Sequence, residues 1–128
     1  MNRLARTACA ALMIAAVAGC AAFGPTMPAS VKSSNGMLVN QAGMTLYTFD
    51  KDAAGKSNCN GPCAANWPPL MATGDASAMG DWTIVTRDDG ARQWAHRGKP
   101  LYLWIKDQKP GDATGEGVAN NTWHVARP

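Results

Sequence analysis

The chain has 128 residues, 46% of them hydrophobic, and a formal net charge of +3. Two of its 12 basic residues, Arg3 and Arg6, lie in a segment that we expect export to remove, which leaves 10 basic against 9 acidic side chains. So small an excess of positive charge argues against nucleic acid as a partner, because binding phosphates requires a patch of several cations. The remaining length suffices for one small hydrophobic core and not for two.

The N-terminus predicts an exported, lipid-anchored protein. An apolar run over residues 7–18 follows Arg3 and Arg6, and at about 12 residues it is shorter than the roughly 20 that a membrane-spanning helix needs. The Val-Ala-Gly-Cys tetrad that ends at Cys20 resembles the lipobox of bacterial lipoproteins, in which the cysteine is acylated and becomes the new N-terminus. The resemblance implies a signal peptide over residues 1–19 and a lipid on Cys20. An ordinary secretory signal with an incidental cysteine is the alternative.

The residues after Cys20 predict the location of the protein and the start of its domain. In lipoproteins of Gram-negative bacteria an Asp at the next position resembles an inner-membrane retention signal, so Ala21 favours the periplasmic side of the outer membrane, if the host has one. Residues 20–34 contain few large apolar side chains and many Ala, Pro and Ser, which is typical of a flexible tether. We therefore expect the folded domain over residues 35–128.

The domain contains one motif twice. A glycine, a tyrosine, a second aromatic residue and an aspartate recur at one spacing of 55 residues, as Gly43, Tyr47, Phe49 and Asp52 and then as Gly98, Tyr102, Trp104 and Asp107. Self-similarity at a fixed spacing is the signature of a repeat architecture. We therefore expect two structural repeats, over about residues 31–72 and 82–128.

Turn signals and alternating apolar residues predict an all-β domain. Asn35-Gly36 and Asp89-Gly90 are the dipeptides that best fit type I′ hairpin turns. No segment shows a helical period. The predicted strands cover residues 37–41, 45–50, 69–72, 81–87, 91–96, 100–106 and 122–127. The expected architecture is a small sandwich or open barrel built from two duplicated β-meander repeats.

The aromatic residues of the motif are expected to pack between the two halves. Residues two apart on a strand share a face, so Tyr47 lies beside Phe49, and Tyr102 lies beside Trp104. Large rings at equivalent places would form a buried seam. The alternative is an exposed aromatic platform for a sugar or a peptide, to which four further indoles would contribute: Trp67, Trp82, Trp94 and Trp123.

The polar residues of the domain predict structural roles. Asp52 and Asp107 close their strands before long loops, where a carboxylate can accept backbone N–H bonds and cap the turn. His96 and His124 are not accompanied by a recognisable nucleophile motif, so neither belongs to an evident catalytic pair. We therefore expect a protein that is not an enzyme.

The cysteines of the domain, Cys59 and Cys63, lie in the loop after the first motif. In an exported protein so close a pair is most often oxidised, so we predict a disulfide. Two metal sites are the alternatives. Zinc would suit a Cys₂His₂ set with His96 and His124 but requires reduced thiolates. The Cys-x₃-Cys pair with a distant histidine also resembles copper-delivery proteins of the same compartment, whose larger fold this chain lacks.

Together these features resemble a known family, the secreted-repeat lipoproteins of unknown function that carry a Tyr-x-(Phe/Trp/Tyr)-x-x-Asp motif. The resemblance rests on the lipobox, the two motifs, the closing Trp-His-Val and the specific segment 57–70, Ser-Asn-Cys-Asn-Gly-Pro-Cys-Ala-Ala-Asn-Trp-Pro-Pro-Leu. It implies a cell-envelope repeat domain and supplies no catalytic residues. We expect a binding or structural module for an envelope protein or a glycan, without a cofactor. The alternative is a copper-binding or thiol-redox accessory protein that uses the two loop cysteines and a histidine.

Overall fold

The computed structural model describes residues 27–128, so the expected signal peptide, Cys20 and the start of the tether lie outside the described residues. The described part consists mostly of short antiparallel strands, which confirms the all-β class, and its sheets do not close into a barrel. The elements are β1 (Val31–Ser34), β2 (Met37–Asn40), β3 (Tyr47–Phe49), α1 (Pro62–Asn66), β4 (Trp82–Thr86), β5 (Arg92–His96), β6 (Lys99–Pro100), α2 (Val118–Asn121) and β7 (Trp123–Val125).

Strand β1 lies in the segment for which the sequence predicts a tether. Asn35 and Gly36 have φ angles of 51° and 74°, as the predicted type I′ turn requires, and this turn folds β1 back onto β2. Val31 is buried in the hydrophobic core. The assignment of residues 31–34 to the tether is therefore wrong, because composition does not show that a turn brings a polar segment into a sheet.

Two further expectations about local structure are wrong. At Asp89-Gly90 only Gly90 has a positive φ angle, and its N–H donates to the carbonyl of Arg87, so β4 and β5 are joined by a longer loop than a type I′ turn. The segments predicted as strands over 69–72 and 100–106 form mainly isolated β-bridges. Each bridge joins one residue to one residue of the other repeat, so no continuous strand forms.

The two helices occupy equivalent places in the two repeats, because α1 ends just before Trp67 and α2 ends just before Trp123. Helix α1 begins at Pro62, which suits a first turn because proline has no N–H to satisfy. Helix α2 is irregular, with Ala119 and Asn120 in the left-handed region. With 5 and 4 residues, these helices are too short to show the periodicity by which a helix is recognised in a sequence.

Each half of the molecule is completed by the last segment of the other half. Strand β7, from the second repeat, pairs antiparallel with β3 of the first, with Phe49 opposite Trp123. In return, Leu70 at the end of the first repeat donates its N–H to the carbonyl of Leu101 (2.9 Å) and accepts from the N–H of Trp94 (2.9 Å). The two repeats therefore exchange their ends rather than folding side by side.

Alternation along the central strands separates two hydrophobic clusters. Leu46 and Leu101 face the main hydrophobic core, whereas the next residues, Tyr47 and Tyr102, face the opposite side. The main hydrophobic core consists of Val31, Leu38, Leu46, Leu70, Trp82, Trp94, Leu101 and Ala126. The other cluster, which we call the aromatic seam, consists of Tyr47, Cys59, Trp67, Tyr102 and Trp123, with Phe49, Cys63, Trp104, Val118 and Val125 partly buried against it.

Candidate functional site

The aromatic seam brings both copies of the motif together about a pseudo-twofold axis. The N–H of Tyr47 donates to the carbonyl of Tyr102 (2.8 Å), and the N–H of Tyr102 donates to the carbonyl of Tyr47 (2.9 Å). Both side chains are fully buried. Because the two bonds are reciprocal, the axis that relates the halves passes between these residues.

Each motif tyrosine binds the aspartate of the other motif. Tyr47 Oη donates to Asp107 Oδ2 (2.6 Å), and Tyr102 Oη donates to Asp52 Oδ2 (2.6 Å). A hydroxyl bond to a carboxylate at this distance is stronger than a bond between neutral groups. Each copy of the motif therefore supplies one donor and one acceptor to the contact between the halves.

The second carboxylate oxygen of each aspartate holds the loop that follows it. Asp52 Oδ1 accepts from the N–H of Asn58 (2.7 Å), and Asp107 Oδ1 accepts from the N–H of Thr114 (2.9 Å). The predicted turn-capping role is thus confirmed. The tyrosine partner was not predicted, because the bond joins residues of different repeats and leaves no local spacing in the sequence.

Four rings of the seam form one continuous stack. Trp67 and Trp123 lie parallel at its centre, with ring centroids 3.7 Å apart. Trp104 stacks on Trp67 at 3.9 Å, and Phe49 stacks on Trp123 at 4.3 Å. The two motif tyrosines meet the central indoles edge-on, which is a favourable arrangement for aromatic pairs.

These rings belong to the core rather than to a binding surface. The predicted seam is confirmed, since it contains all four aromatic residues of the motif: Tyr47, Phe49, Tyr102 and Trp104. The alternative of an exposed platform is wrong for the other indoles, which are at most 4% exposed: Trp67, Trp82, Trp94 and Trp123. Their π-faces are covered by neighbouring side chains and are not open to a sugar or a peptide.

Arg87, from the second repeat, is a buried cation beside the loop that follows the first motif. Arg87 is 5% exposed, and its Nη1 donates to Ser57 Oγ (2.9 Å) and to Gln93 Oε1 (2.7 Å). Ser57 Oγ lies 2.6 Å from Tyr102 Oη, the phenol that donates to Asp52. A buried charge requires both hydrogen bonds and a counter-charge. The two hydroxyls connect the guanidinium to the Asp52 carboxylate, which supplies that counter-charge.

In the second half a glycine allows the backbone to approach the seam. The N–H of Gly115 donates to Tyr47 Oη (3.2 Å). A Cβ atom at this position would lie 2.8 Å from both Trp67 Cη2 and Tyr47 Cε1. Such contacts are too short for any side chain, so the position requires glycine.

Burial controls the proton equilibria of the seam. It raises the pKa of Tyr47 and Tyr102 far above the usual value for tyrosine, and the bonds to Asp107 and Asp52 add to the shift. Burial also raises the pKa of Asp52, although hydrogen bonds from Tyr102 and Asn58 oppose this rise. The phenols are therefore held as neutral donors, which suits a structural role.

The structure joins Cys59 and Cys63 in a disulfide, as predicted. The pair packs against the aromatic seam, and the carbonyl of the fully buried Cys59 accepts a bond from Arg87 Nη2 (2.5 Å). Metals bind the thiolate form of cysteine, which the disulfide removes. Among residues 27–128, no three His, Cys, Asp or Glu side chains are arranged to hold a metal ion, so the zinc or copper set is not assembled there.

The two histidines lie together in a groove that does not include the cysteines. His124 Nε2 lies 2.8 Å from Asp50 Oδ2, and its Nδ1 lies 3.4 Å from Glu116 Oε1. The bond to Asp50 raises the pKa of His124, whereas burial and then the charge of Arg97 lower the pKa of His96. The sequence grouped His96 and His124 with the cysteines, but the structure groups them with the charged residues of this groove.

The sequence analysis missed the role of three residues. It assigned Trp67 and Trp123 to the alternative of an exposed platform, although each follows a short Ala- and Asn-containing segment in its repeat, a correspondence that indicates the seam. No such signal exists for Arg87. It directly precedes Asp88 at a turn, where an arginine is normally exposed.

Comparison with known protein families matches both halves of the molecule. The family described as a secreted repeat of unknown function matches residues 29–71 and 83–127. These ranges correspond to the two repeats that the sequence predicts over about residues 31–72 and 82–128. No curated protein and no solved structure matches the chain.

Proposed function

The chain belongs to the Lipoprotein_15 family of secreted repeats of unknown function, and we propose that it is a non-enzymatic binding or structural module of the bacterial cell envelope. A lipid on Cys20 would anchor it at the outer membrane, facing the periplasm. Within residues 27–128, none of the helices has the length and apolar character needed to cross a membrane. The Cys59–Cys63 disulfide suits an oxidising compartment outside the cytoplasm.

The observation that supports the proposal most strongly is that the side chains of the motif form hydrogen bonds inside the domain. Both tyrosines and both aspartates are bonded to other groups of the domain across the seam or within its loops. Side chains engaged in this way build the scaffold and are not presented to a substrate. A partner would therefore meet the loops and grooves of the surface, which is where a rigid scaffold commonly carries its function.

The proposed partners are an envelope protein or a cell-wall glycan. The test uses the full-length protein extracted from bacterial membranes and a Cys20→Ser variant. We expect acyl chains on the wild type by intact mass, recovery of the wild type with membranes, and release of the variant to the soluble fraction. Co-sedimentation with purified sacculi and cross-linking in cells then report the partner. A protein that lacks acyl chains and captures neither sacculi nor an envelope protein would contradict the proposal.

A further inference from the structure

A polar groove runs between the β3–β7 pair and the Arg97-Gly98 turn that follows β5. It has a volume of about 360 Å³, at the lower end of the roughly 300–1,000 Å³ typical of small-molecule sites. Its polar lining consists of Thr48, Asp50, His96, Arg97, Lys99, His124 and Arg127. The groove lies on the face of β3 opposite the aromatic seam, so the rigid seam supports it from behind.

Cationic side chains dominate this lining. Arg97, Lys99 and Arg127 are all exposed, and Asp50 is the single carboxylate side chain among the lining residues. The Asp50 carboxylate is already engaged by His124 at 2.8 Å. Arg97 pairs with Asp81 through its Nε (3.3 Å). His124 also meets Glu116 (3.4 Å), and Arg127 Nη1 donates to the carbonyl of Gly36 (3.2 Å). Neither Lys99 nor Arg127 forms an ion pair among residues 27–128, so the groove keeps two cations without a carboxylate partner.

The other half of the molecule shows that the fold does not require these charges. By the 55-residue spacing of the motif, Thr48 and Asp50 correspond to Leu103 and Ile105. Trp67 and Trp123 are 56 residues apart, and by that offset His124 and Arg127 correspond to Pro68 and Met71. Ile105 and Met71 are 53% and 49% exposed, so the same backbone accepts apolar side chains there. These polar residues therefore do not recur at the equivalent positions of the other repeat. Such a difference is expected of residues that bind a ligand, whereas residues that the fold requires would recur in both repeats.

We propose that this groove binds an acidic saccharide. The cations Arg97, Lys99 and Arg127 would hold the carboxylate of the sugar, since guanidinium and ammonium groups form the strongest hydrogen bonds with anions. Thr48 and His96 would bond to its hydroxyls, since a hydroxyl and a neutral imidazole can each donate and accept, and Asp50 would accept from them. A flat anionic membrane would use the cations but would leave the acceptors Thr48 and Asp50 without a partner. The inference rests on the proposed function and specifies the class of its ligand.

The groove has a built-in reporter, because the only 2 histidines of the chain both line it. The experiment follows the carbon-bound imidazole protons of the full-length protein by NMR during titration with sodium D-galacturonate at constant pH and ionic strength. We expect saturable shifts of both imidazoles. D-galactose, which lacks the carboxylate, should bind at least about tenfold more weakly, as the loss of charged hydrogen bonds predicts.

Matched variants locate the site. R97Q/K99Q should weaken galacturonate binding at least about tenfold. K51Q/K109Q removes the same charge from exposed lysines outside the groove and should bind as the wild type does. Absence of saturable shifts, or equal weakening in both variants, would overturn the proposal. So would tighter binding of inorganic phosphate, which indicates a simple anion site, or of phosphatidylglycerol bicelles, which indicates a membrane surface.

Failure of this inference is distinguishable from failure of the proposed function. If the wild type shows no galacturonate shift and the R97Q/K99Q variant still co-sediments with sacculi, the groove does not bind the saccharide. The proposed envelope module would then remain supported. A protein that binds neither galacturonate nor any envelope component would refute both.

Discussion

Tyr47 and Tyr102 join the two repeats at the level of single atoms. Each phenol donates to a carboxylate of the other repeat, and each backbone bonds to the other backbone. Phenylalanine would fill the same space but would leave the carboxylate oxygen without its donor. The hydroxyl is therefore the reason that the motif specifies tyrosine at this position.

We predict that Tyr47→Phe and Tyr102→Phe each lower the free energy of unfolding by about 1–3 kcal/mol, the usual cost of a buried acceptor left without its donor. Denaturant unfolding followed by circular dichroism measures the change. Thr83→Val, at an exposed position of β4, serves as the control and should stay within about 0.5 kcal/mol of the wild type. Wild-type stability in either tyrosine variant would show that the cross-repeat bond does not hold the seam.

At the scale of elements, the exchange of terminal segments distinguishes this fold from two repeats packed side by side. Strand β7 completes the first half, and Leu70 completes the second. The linker over residues 73–81 is the direct covalent connection between the halves, but it contributes little to either sheet. The exchanged segments, rather than the linker, should therefore keep the halves together.

We predict that cleavage of this linker does not separate the halves. A protease site placed between the exposed residues Ser77 and Ala78 would be cut in the folded protein, and the two fragments should elute together in size-exclusion chromatography. The Cys59–Cys63 disulfide lies within the first fragment and cannot hold the two together. Concentrated urea should separate them. Fragments that part without denaturant would contradict the exchanged arrangement.

The loop between β3 and α1 depends on its disulfide. Closing a loop of about five residues contributes about 2 kcal/mol in the chain-entropy model, so reduction should lower the free energy of unfolding of the wild type by about that amount. Denaturant midpoints with and without reductant measure this effect. The variant C59A/C63A controls for other actions of the reductant and should not respond to it. An unchanged wild-type midpoint would show that the cross-link adds no stability.

At the scale of the whole molecule, the sequence predicts the repeats, the all-β class, the aromatic seam and the disulfide. Each of these depends on a signal that lies within one segment, such as the alternation that places Tyr47 beside Phe49. The cross-repeat bond from Tyr47 to Asp107 was not predicted, because it joins residues 60 positions apart. The same reason applies to the groove, where His96 and His124 meet only after the repeats exchange their ends.

The aromatic seam also determines how the folded molecule responds to alkali. Its two tyrosines have pKa values raised by burial and by their carboxylate partners, so the folded state holds the phenolic protons more tightly than the unfolded chain does. The corresponding stability is complete below the ordinary tyrosine pKa of about 10 and is lost as the pH rises above it. Alkaline unfolding should therefore begin only where free tyrosine would ionise.

Phenolate absorbance during an alkaline titration reports whether both motif phenols are buried donors of the seam. The chain has only 2 tyrosines, so the whole signal comes from Tyr47 and Tyr102. We predict no phenolate while circular dichroism shows the native fold, and simultaneous appearance of phenolate and loss of structure at higher pH. In denaturant the same phenols should ionise near pH 10. Ionisation of both tyrosines near pH 10 in a protein that remains folded would show that the phenols are not buried donors of the seam.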